Sequence, residues 1–144
     1  MERDVGEILS LSTMSLSTAS SSGEPHAAPV YFVADRALRL FFFSDPESLH
    51  CRHLANNPLA AAAIYPECHG WQDIRGLQLH GEARRVQPGV EWESAWELYA
   101  AKFPFVSELR GEIERNVLYV FTSRWARLVD NRRGFGFKQE WNLP

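Results

Sequence analysis

The stretch that decides the fold runs from Thr13 to Tyr65 and reads TMSLSTASSSGEPHAAPVYFVADRALRLFFFSDPESLHCRHLANNPLAAAAIY. Three of its segments have strand character, 13–19, 26–34 and 38–44, and turn-forming residues separate them. In the first segment apolar residues alternate with small polar ones, and a period of two is typical of a half-buried strand. Three short strands joined by tight turns predict an antiparallel meander.

The second part of the stretch predicts a helix followed by one more strand. Asp45 can cap a helix and Pro46 suits its first position, so the helix is expected to begin here. It is expected to end near Asn57, because an Asn-Pro step disfavours helical backbone. The segment Leu59–Tyr65 is small and apolar, which predicts a strand with close neighbours on both faces.

The second half of the chain predicts a long strand and a long helix. Ile74–Val86 has strand character, and its two glycines indicate a bulge or a close backbone approach. The helix opens at Pro88-Gly89 and carries four rings along one face, a spacing that predicts a stripe facing the core: Trp92, Trp96, Tyr99 and Phe103.

The rest of the chain completes the predicted sheet. A short helix, two closing strands and an irregular tail are expected at 107–114, Val117–Thr122, Trp125–Val129 and 130–141. Six or seven strands with one short helix and a helical excursion fit a closed antiparallel sheet with helices outside, which leaves few exposed edges. The 144 residues fit one domain, 1–144, able to bury roughly 68–70% of the surface of its unfolded chain.

Composition excludes several classes of function. A net charge of −3 without a block of like charge argues against nucleic acid as a partner. No apolar run approaches the ~20 residues of a membrane span, and the N-terminus lacks the basic start of a signal peptide. Two cysteines make no disulfide framework. We therefore expect a cytoplasmic protein with neither membrane nor nucleic-acid contacts.

The order of these segments resembles the pyridoxamine 5'-phosphate oxidase-like, FMN-binding split barrels. That family joins a small-residue-Gly-x-Pro turn, a strand ending in an aromatic residue plus Ser or Thr, and a helix finishing in Asn-Pro, as residues 13–65 do here. IRGLQLHGEARRV at 74–86, KFPF at 102–105 and DNRRGFGFKQEW at 130–141 are similar to a small bacterial branch of it. The resemblance implies a split β-barrel of six to seven antiparallel strands with two to four flanking helices.

The resemblance also implies a homodimer that holds FMN at the subunit interface. The flavin ring is expected along the second and third strands, and the phosphate near the end of the third strand and the start of the short helix. The loop before the long strand is expected near the same pocket, although Arg75 has the alternative of an ion pair with Asp73 or Glu67. The implied cofactor residues are Pro29, Val30, Tyr31, Phe32, Phe43, Ser44, Ser48, His50, Arg52, Trp71, Gln72 and Arg75.

The chain departs from the oxidase at its charged positions. Where the oxidase has an arginine and a lysine on the ring-binding strand, this chain has Ala28 and Val33, and Leu49-His50 replaces an Arg-Lys pair. Fewer charge-assisted hydrogen bonds imply weak FMN binding, and the substrate is expected not to be pyridoxine phosphate. We hypothesise that His50 binds the phosphate when protonated, because a dianion raises the pKa of a neighbouring histidine; the alternative is a histidine on the helix surface.

Two functions remain open from the sequence. The first is an FMN-dependent oxidoreductase that acts on an unidentified small substrate, and no catalytic residue can be named. The alternative is a dimeric module that binds flavin or haem without catalysis, with His26, His69 and His80 as candidate axial ligands. A zinc site near Cys51 and Cys68 is not predicted, because no ligand pair has the usual spacing. The tail at 134–138 either reaches a ligand or partner, or packs on the barrel.

Overall fold

The computed structural model describes residues 3–144 and contains one antiparallel sheet of eight strands. The sheet order is β2-β1-β5-β6-β7-β4-β3, and β8 pairs with the second half of β7. The strands are β1 (Thr13–Ala19), β2 (Pro25–Tyr31), β3 (Val33–Ala34), β4 (Arg39–Ser44), β5 (Leu59–Ile64), β6 (Arg75–Arg85), β7 (Val117–Asp130) and β8 (Lys138–Asn142).

Helices close the ends and one side of this sheet. Three single-turn or two-turn 3-10 segments, at Trp71–Asp73, Pro104–Leu109 and Asn131–Arg133, accompany the α-helices. The α-helices in the described part of the chain are α1 (Arg3–Leu9), α2 (Leu49–Asn56), α3 (Val90–Lys102) and α4 (Arg110–Ile113). The predicted class, a mainly β split barrel with flanking helices, is confirmed.

Two hydrophobic cores lie on opposite sides of the sheet. The inner core fills the curled sheet with side chains such as Leu16, Phe42 and Phe121, and α2 contributes Cys51 and Leu54 to it. The outer core lies between α3 and the outside of β4 and β7. It contains the predicted ring stripe, since Trp96, Tyr99 and Phe103 are buried and Trp92 packs against them. The core-facing interpretation of that stripe is confirmed.

The predicted meander is wrong within its second strand, whereas the predicted turn at 35–37 joins β3 to β4 as an antiparallel pair. β1 and β2 form the expected hairpin, but the chain then leaves β2 at Phe32, and β3 and β4 pair at the opposite end of the sheet order. The Phe32 side chain is fully buried, and its backbone N–H donates to the Ser12 carbonyl oxygen. Because this ring is buried, the backbone leaves the β1–β2 hairpin at Phe32. The predicted strand 26–34 is therefore divided into β2 and β3.

The two predicted closing strands form a single strand, β7, interrupted by a bulge. The register with β6 shifts between His80 and Gly81, and Arg124 is left without a partner in the ladder. A Cβ on Gly81 would lie 2.0 Å from the Thr122 carbonyl oxygen, which confirms the predicted close approach. The break that the sequence indicates at 123–124 is therefore a bend within a strand.

Two terminal elements and one helix start also differ from the prediction. α1 was not predicted, and the tail expected to be irregular contains β8, which pairs with β7. Asp45 accepts a hydrogen bond from the Glu47 N–H and forms a turn, while Ser48 caps α2 by accepting from Cys51 N. The helix therefore begins at Leu49 instead of Pro46.

Candidate functional site

The outer face of β1, β2 and β5 carries only small side chains over its central part. Met14 and Leu16 point into the core, so the residues between them point outward. Ser15 pairs with Pro29 and Ala63, and Ser17 pairs with Ala27 and Ala61, which places two short rows side by side. We call this surface the bare face. It contains a shallow cavity of about 240 Å³.

The predicted ring-binding strand presents alternate residues to the bare face. Pro29 and Tyr31 are exposed, as the prediction for a surface ligand requires. The side chains of Val30 and Phe32 belong to the inner core, so only their backbone atoms remain for contact with a ligand.

The residues predicted around the phosphate come together at the start of α2. His50 Nε2 lies 2.8 Å from Ser44 Oγ and 3.4 Å from Ser48 Oγ. Ser44 and His50 are buried, and Ser48 is half-buried. Arg52 is exposed on the same helix. The hydroxyl and imidazole groups are thus assembled where the resemblance places a phosphate, with their polar atoms hydrogen-bonded to one another.

Burial keeps His50 neutral near pH 7. Desolvation lowers the pKa of His50, and the nearby rings of His26 and His53 lower it further. His53 Nδ1 lies 3.0 Å from Thr18 Oγ1, and its ring meets that of His26 edge-on at 6.0 Å. The protonated state expected for a phosphate-bound His50 remains a prediction. The sequence did not indicate that His26 joins this group, because it comes from a separate strand.

Two other titratable groups, one in each hydrophobic core, also favour their neutral forms. Burial raises the pKa of the Cys51 thiol despite contacts with Ser48, Tyr119 and Ser44. Burial raises the pKa of Tyr99 to about 12. Within residues 3–144, no group of three His, Cys, Asp or Glu side chains is arranged to hold a metal ion.

The predicted loop residues lie in a different group of contacts. Trp71 meets Phe135 edge-on at 5.6 Å, and its carbonyl oxygen accepts a hydrogen bond from Asn131 Nδ2. Gln72 is exposed on the same turn. Arg75 pairs with Glu7 of α1 at 3.1 Å, and not with either of the two partners expected from the sequence. Within one protomer, these residues hold the tail and α1 to the sheet.

A row of aromatic rings leads from β4 to β2 along α3. Phe43 is half-buried and meets Trp92, Trp96 and Tyr99 edge-on at 5.1 to 5.9 Å. The row continues through Phe103, which contacts both Tyr31 and Phe105. Phe105 was missed in the sequence analysis, although the KFPF segment that contains it was noted.

A comparison with protein-family models agrees with the fold described above. The family model described as pyridoxamine 5'-phosphate oxidase matches residues 3–130. No curated protein matches the sequence. Among the residues described, no helix has the length and apolar character needed to cross a membrane.

Several solved structures share the fold at low sequence identity. Campylobacter jejuni ChuZ has a TM-score of 0.82 at 15% identity, over 97% of this chain and 58% of that one. A haem-binding protein from Mycobacterium smegmatis has a TM-score of 0.76 at 21% identity, over 92% and 53%. HutZ, a haem storage protein from Vibrio cholerae, has a TM-score of 0.74 at 16% identity, over 85% and 89%. This chain thus spans little more than half of the first two proteins.

Proposed function

The chain belongs to the pyridoxamine 5'-phosphate oxidase family, and from that membership we propose that it is a homodimeric binding protein for a flat conjugated cofactor, haem or FMN. The bare face carries this proposal. Its serine, alanine and proline side chains have little rotamer entropy to lose, and they let a second sheet approach closely. A second copy against this face would enclose a cofactor between the subunits.

The raised pKa values of Cys51 and Tyr99 support binding in preference to turnover. A general acid or base works best with a pKa near the working pH. His50 is held neutral and hydrogen-bonded to Ser44, while the pKa values of Cys51 and Tyr99 are raised. The pKa values of Cys51 and Tyr99 therefore move further above pH 7, and neither side chain is poised to exchange a proton there. They suit a site that holds a cofactor in place.

Haem is the first of the two cofactors to test. Proteins of the same fold from Mycobacterium smegmatis and Vibrio cholerae bind or store haem. Of the three candidate axial ligands, His80 is exposed on β6 and stacks on Trp125 at 4.3 Å, and His69 is exposed in a loop. His26 is half-buried against His53. An exposed imidazole nitrogen can ligate iron without rearrangement, which favours His80 and His69.

Titration of the purified protein with haemin and with FMN tests the proposal. Binding of either cofactor is expected at one equivalent per chain, with a Soret shift for haemin or quenching of flavin fluorescence for FMN. Size-exclusion chromatography is expected to show a dimer. A monomer that binds neither cofactor would refute the proposal.

An FMN-dependent oxidoreductase is the second candidate, supported by the assembly of Ser44, Ser48 and His50 at the start of α2. These groups would hold the phosphate, and FMN would supply the redox chemistry when bound. Bleaching of bound flavin by NADH or NADPH, followed by reoxidation in air, would favour this candidate. Bound flavin that neither nucleotide reduces would favour the binding protein.

A further inference from the structure

A cavity at one end of the sheet is lined by none of the residues expected to bind the cofactor. Its volume is about 310 Å³, at the lower end of the range of roughly 300–1,000 Å³ that small-ligand pockets have. The turn between β3 and β4, the middle of β7 and the segment after β8 form its walls. The cavity borders Arg39 at the start of β4, whereas Ser44 ends that strand, roughly 17 Å away for five residues of extended backbone.

Ser123 gives this cavity a buried hydroxyl group without a partner. The residue lies at the bulge of β7 and is 2% exposed. Its Oγ is the only buried side-chain nitrogen or oxygen in residues 3–144 that has no hydrogen bond. Buried polar groups of native proteins are nearly always hydrogen-bonded to protein or to ordered water. Because Ser123 lines the cavity, a polar atom at the inner end of a ligand would supply the missing bond.

Arg36 gives the same cavity a positive charge that no carboxylate in the described chain neutralises. The residue is exposed and has no hydrogen bond or ion pair with any of residues 3–144. Asp35 beside it is already occupied, since one carboxylate oxygen accepts from the N–H groups of Ala37 and Arg39 at 2.9 and 3.0 Å. Its other oxygen accepts from Arg39 Nε at 2.8 Å. The guanidinium group of Arg36 therefore favours an anion at the mouth of the cavity.

The turn that carries Arg36 is fastened to the strand that carries Ser123. Leu38 ends this turn with a φ of 57°, in a region that residues other than glycine seldom adopt, and its side chain is 1% exposed. Its carbonyl oxygen accepts a hydrogen bond from the Ser123 N–H at 3.3 Å. The charge and the hydroxyl group thus come from backbone segments that are bonded to each other, and a site organised in advance loses less entropy when a ligand binds.

A neighbouring cavity of about 530 Å³ also borders Arg36, but its second cation is already satisfied. Lys102 lines that cavity, and its ammonium group donates to three backbone carbonyl oxygens at 2.6 to 3.1 Å. Leu98 lines it as well and does not line the cavity beside Ser123. A ligand gains both an unneutralised charge and a missing hydrogen bond only in the cavity beside Ser123.

We propose that the cavity beside Ser123 is a second ligand site, for a small carboxylic acid with an apolar body and a hydroxyl or carbonyl group at its far end. Arg36 binds the carboxylate, and Ser123 hydrogen-bonds the far polar group. Ala37 and Leu143 contact the apolar body. Hydrogen bonds between charged groups are stronger than those between neutral ones, so the carboxylate contributes the larger share of the affinity. This site goes beyond the proposed function and does not depend on it.

The test removes one polar group at a time from the protein and from the ligand. Arg36→Gln removes a charge at an exposed position, and Ser123→Ala removes a hydroxyl group that has no partner, so both variants are expected to fold. Arg115→Gln and Leu98→Ala are the matched controls, because Arg115 is an exposed arginine outside both cavities and Leu98 lines only the neighbouring one. Each protein is titrated by NMR with 4-hydroxybenzoate, with benzoate, which lacks the far hydroxyl group, and with 4-hydroxybenzamide, which lacks the charge.

The parent is expected to bind 4-hydroxybenzoate with a Kd of about 1 mM, as suits a ligand of about ten non-hydrogen atoms. Benzoate is expected to bind about fivefold more weakly and 4-hydroxybenzamide about tenfold more weakly. Arg36→Gln should abolish the preference for 4-hydroxybenzoate over 4-hydroxybenzamide, and Ser123→Ala should abolish the preference over benzoate. Both controls should keep both preferences. The largest changes in chemical shift are expected at the amides of Ala37 and Ser123.

Several results would overturn the second site. A parent that binds none of the three ligands excludes it, and so do equal affinities for 4-hydroxybenzoate in the parent, Arg36→Gln and Ser123→Ala. Shift changes confined to α3, together with weaker binding to Leu98→Ala, would place the ligand in the neighbouring cavity instead. If Ser123→Ala keeps the preference over benzoate, water is the partner of the hydroxyl group and its role in recognising the ligand falls. Titrations with haemin and FMN have no bearing on these outcomes.

Discussion

The sheet has two outer surfaces, and only one of them is covered by a helix of the same chain. The outside of β4 and β7 carries large residues such as Phe41 and Val120, and α3 covers it with a stripe of rings. The bare face carries serine, alanine and proline, and no element of the described chain packs over it. A surface of large side chains gains enough from burial to hold a helix of its own chain. A surface of small side chains gains little from such burial, and in the proposed dimer it is the surface that the second copy approaches.

The largest effect on stability is expected from removing a large side chain between α3 and the sheet. Trp96→Ala removes a buried ring that packs on Phe43. The free energy of unfolding should fall by about 3–5 kcal/mol, as for other aromatic-to-alanine changes in cores. Urea denaturation measures it, with Trp71→Ala as the control because Trp71 is half-exposed at 54%. A loss for Trp96→Ala no larger than that of the control would contradict the assignment of α3 to the core.

A charge on the bare face is expected to separate the subunits and leave each one folded. Ala61→Glu would introduce a carboxylate twice into a symmetric interface. An uncompensated charge there should weaken the dimer by about a hundredfold or more. Sedimentation equilibrium measures this, together with a thermal melt of the monomer. Val90→Glu, at an exposed position on α3, should leave the dimer intact; equal behaviour of the two variants would count against the bare face as the interface.

The bulge in β6 and β7 lies between the two surfaces and is expected to tolerate little change. Gly81→Ala would bring a Cβ to 2.0 Å from the Thr122 carbonyl oxygen. The backbone would have to move, at a cost of about 1–3 kcal/mol in the free energy of unfolding. Gly111→Ala is the control, because a Cβ there meets nothing within 4 Å. If both variants unfold at the same urea concentration, the close approach does not limit this strand pair.

Acid is expected to weaken the part of the molecule where α2 meets β1 and β2. The folded pKa of His50 lies below its ordinary value of 6.5, so the unfolded chain binds more protons in this range. Stability should therefore fall as the pH drops below about 6.5. His50→Gln removes this titration and should flatten the acid side of the stability curve. An unchanged curve in the variant would assign the acid sensitivity to other groups.

Alkaline pH is expected to act on the opposite side of the molecule, through α3. Burial lowers the pKa of Lys102 from 10.5 to about 8. Between these two values the unfolded chain binds more protons, so stability should rise with pH over that interval. Lys102→Met should lose this rise. A rise of equal size in the variant would contradict the titration of Lys102.

Local patterns predicted most of the elements but not how they associate. The alternation in 13–19 and the ring spacing along α3 are set by chain geometry alone, and both predictions are confirmed. The turn at Phe32 depends on burial of one ring by distant parts of the chain, and no local pattern indicates it. β8 was missed although it pairs with the preceding strand, β7, because the glycines and charged residues of 130–138 indicate an irregular tail.

The candidate site likewise contains some contacts that were expected from the sequence and others that were not. The resemblance to the family implied that Ser44, Ser48 and His50 lie near one phosphate, and the structure brings their polar atoms together. The sequence could not reveal that the rings of His26 and His53 are in contact, or that Tyr31 and Phe105 both contact Phe103, because these residues come from separate elements.

The sequence alone determined the family, the barrel class and the helix that packs on it, because strand and helix periods and turn residues act over a few neighbouring positions. The tertiary structure decided which strands pair, which face stays bare and which polar groups are buried. Each of those features depends on contacts between residues far apart in the chain, and such contacts exist only after the sheet has curled and excluded water.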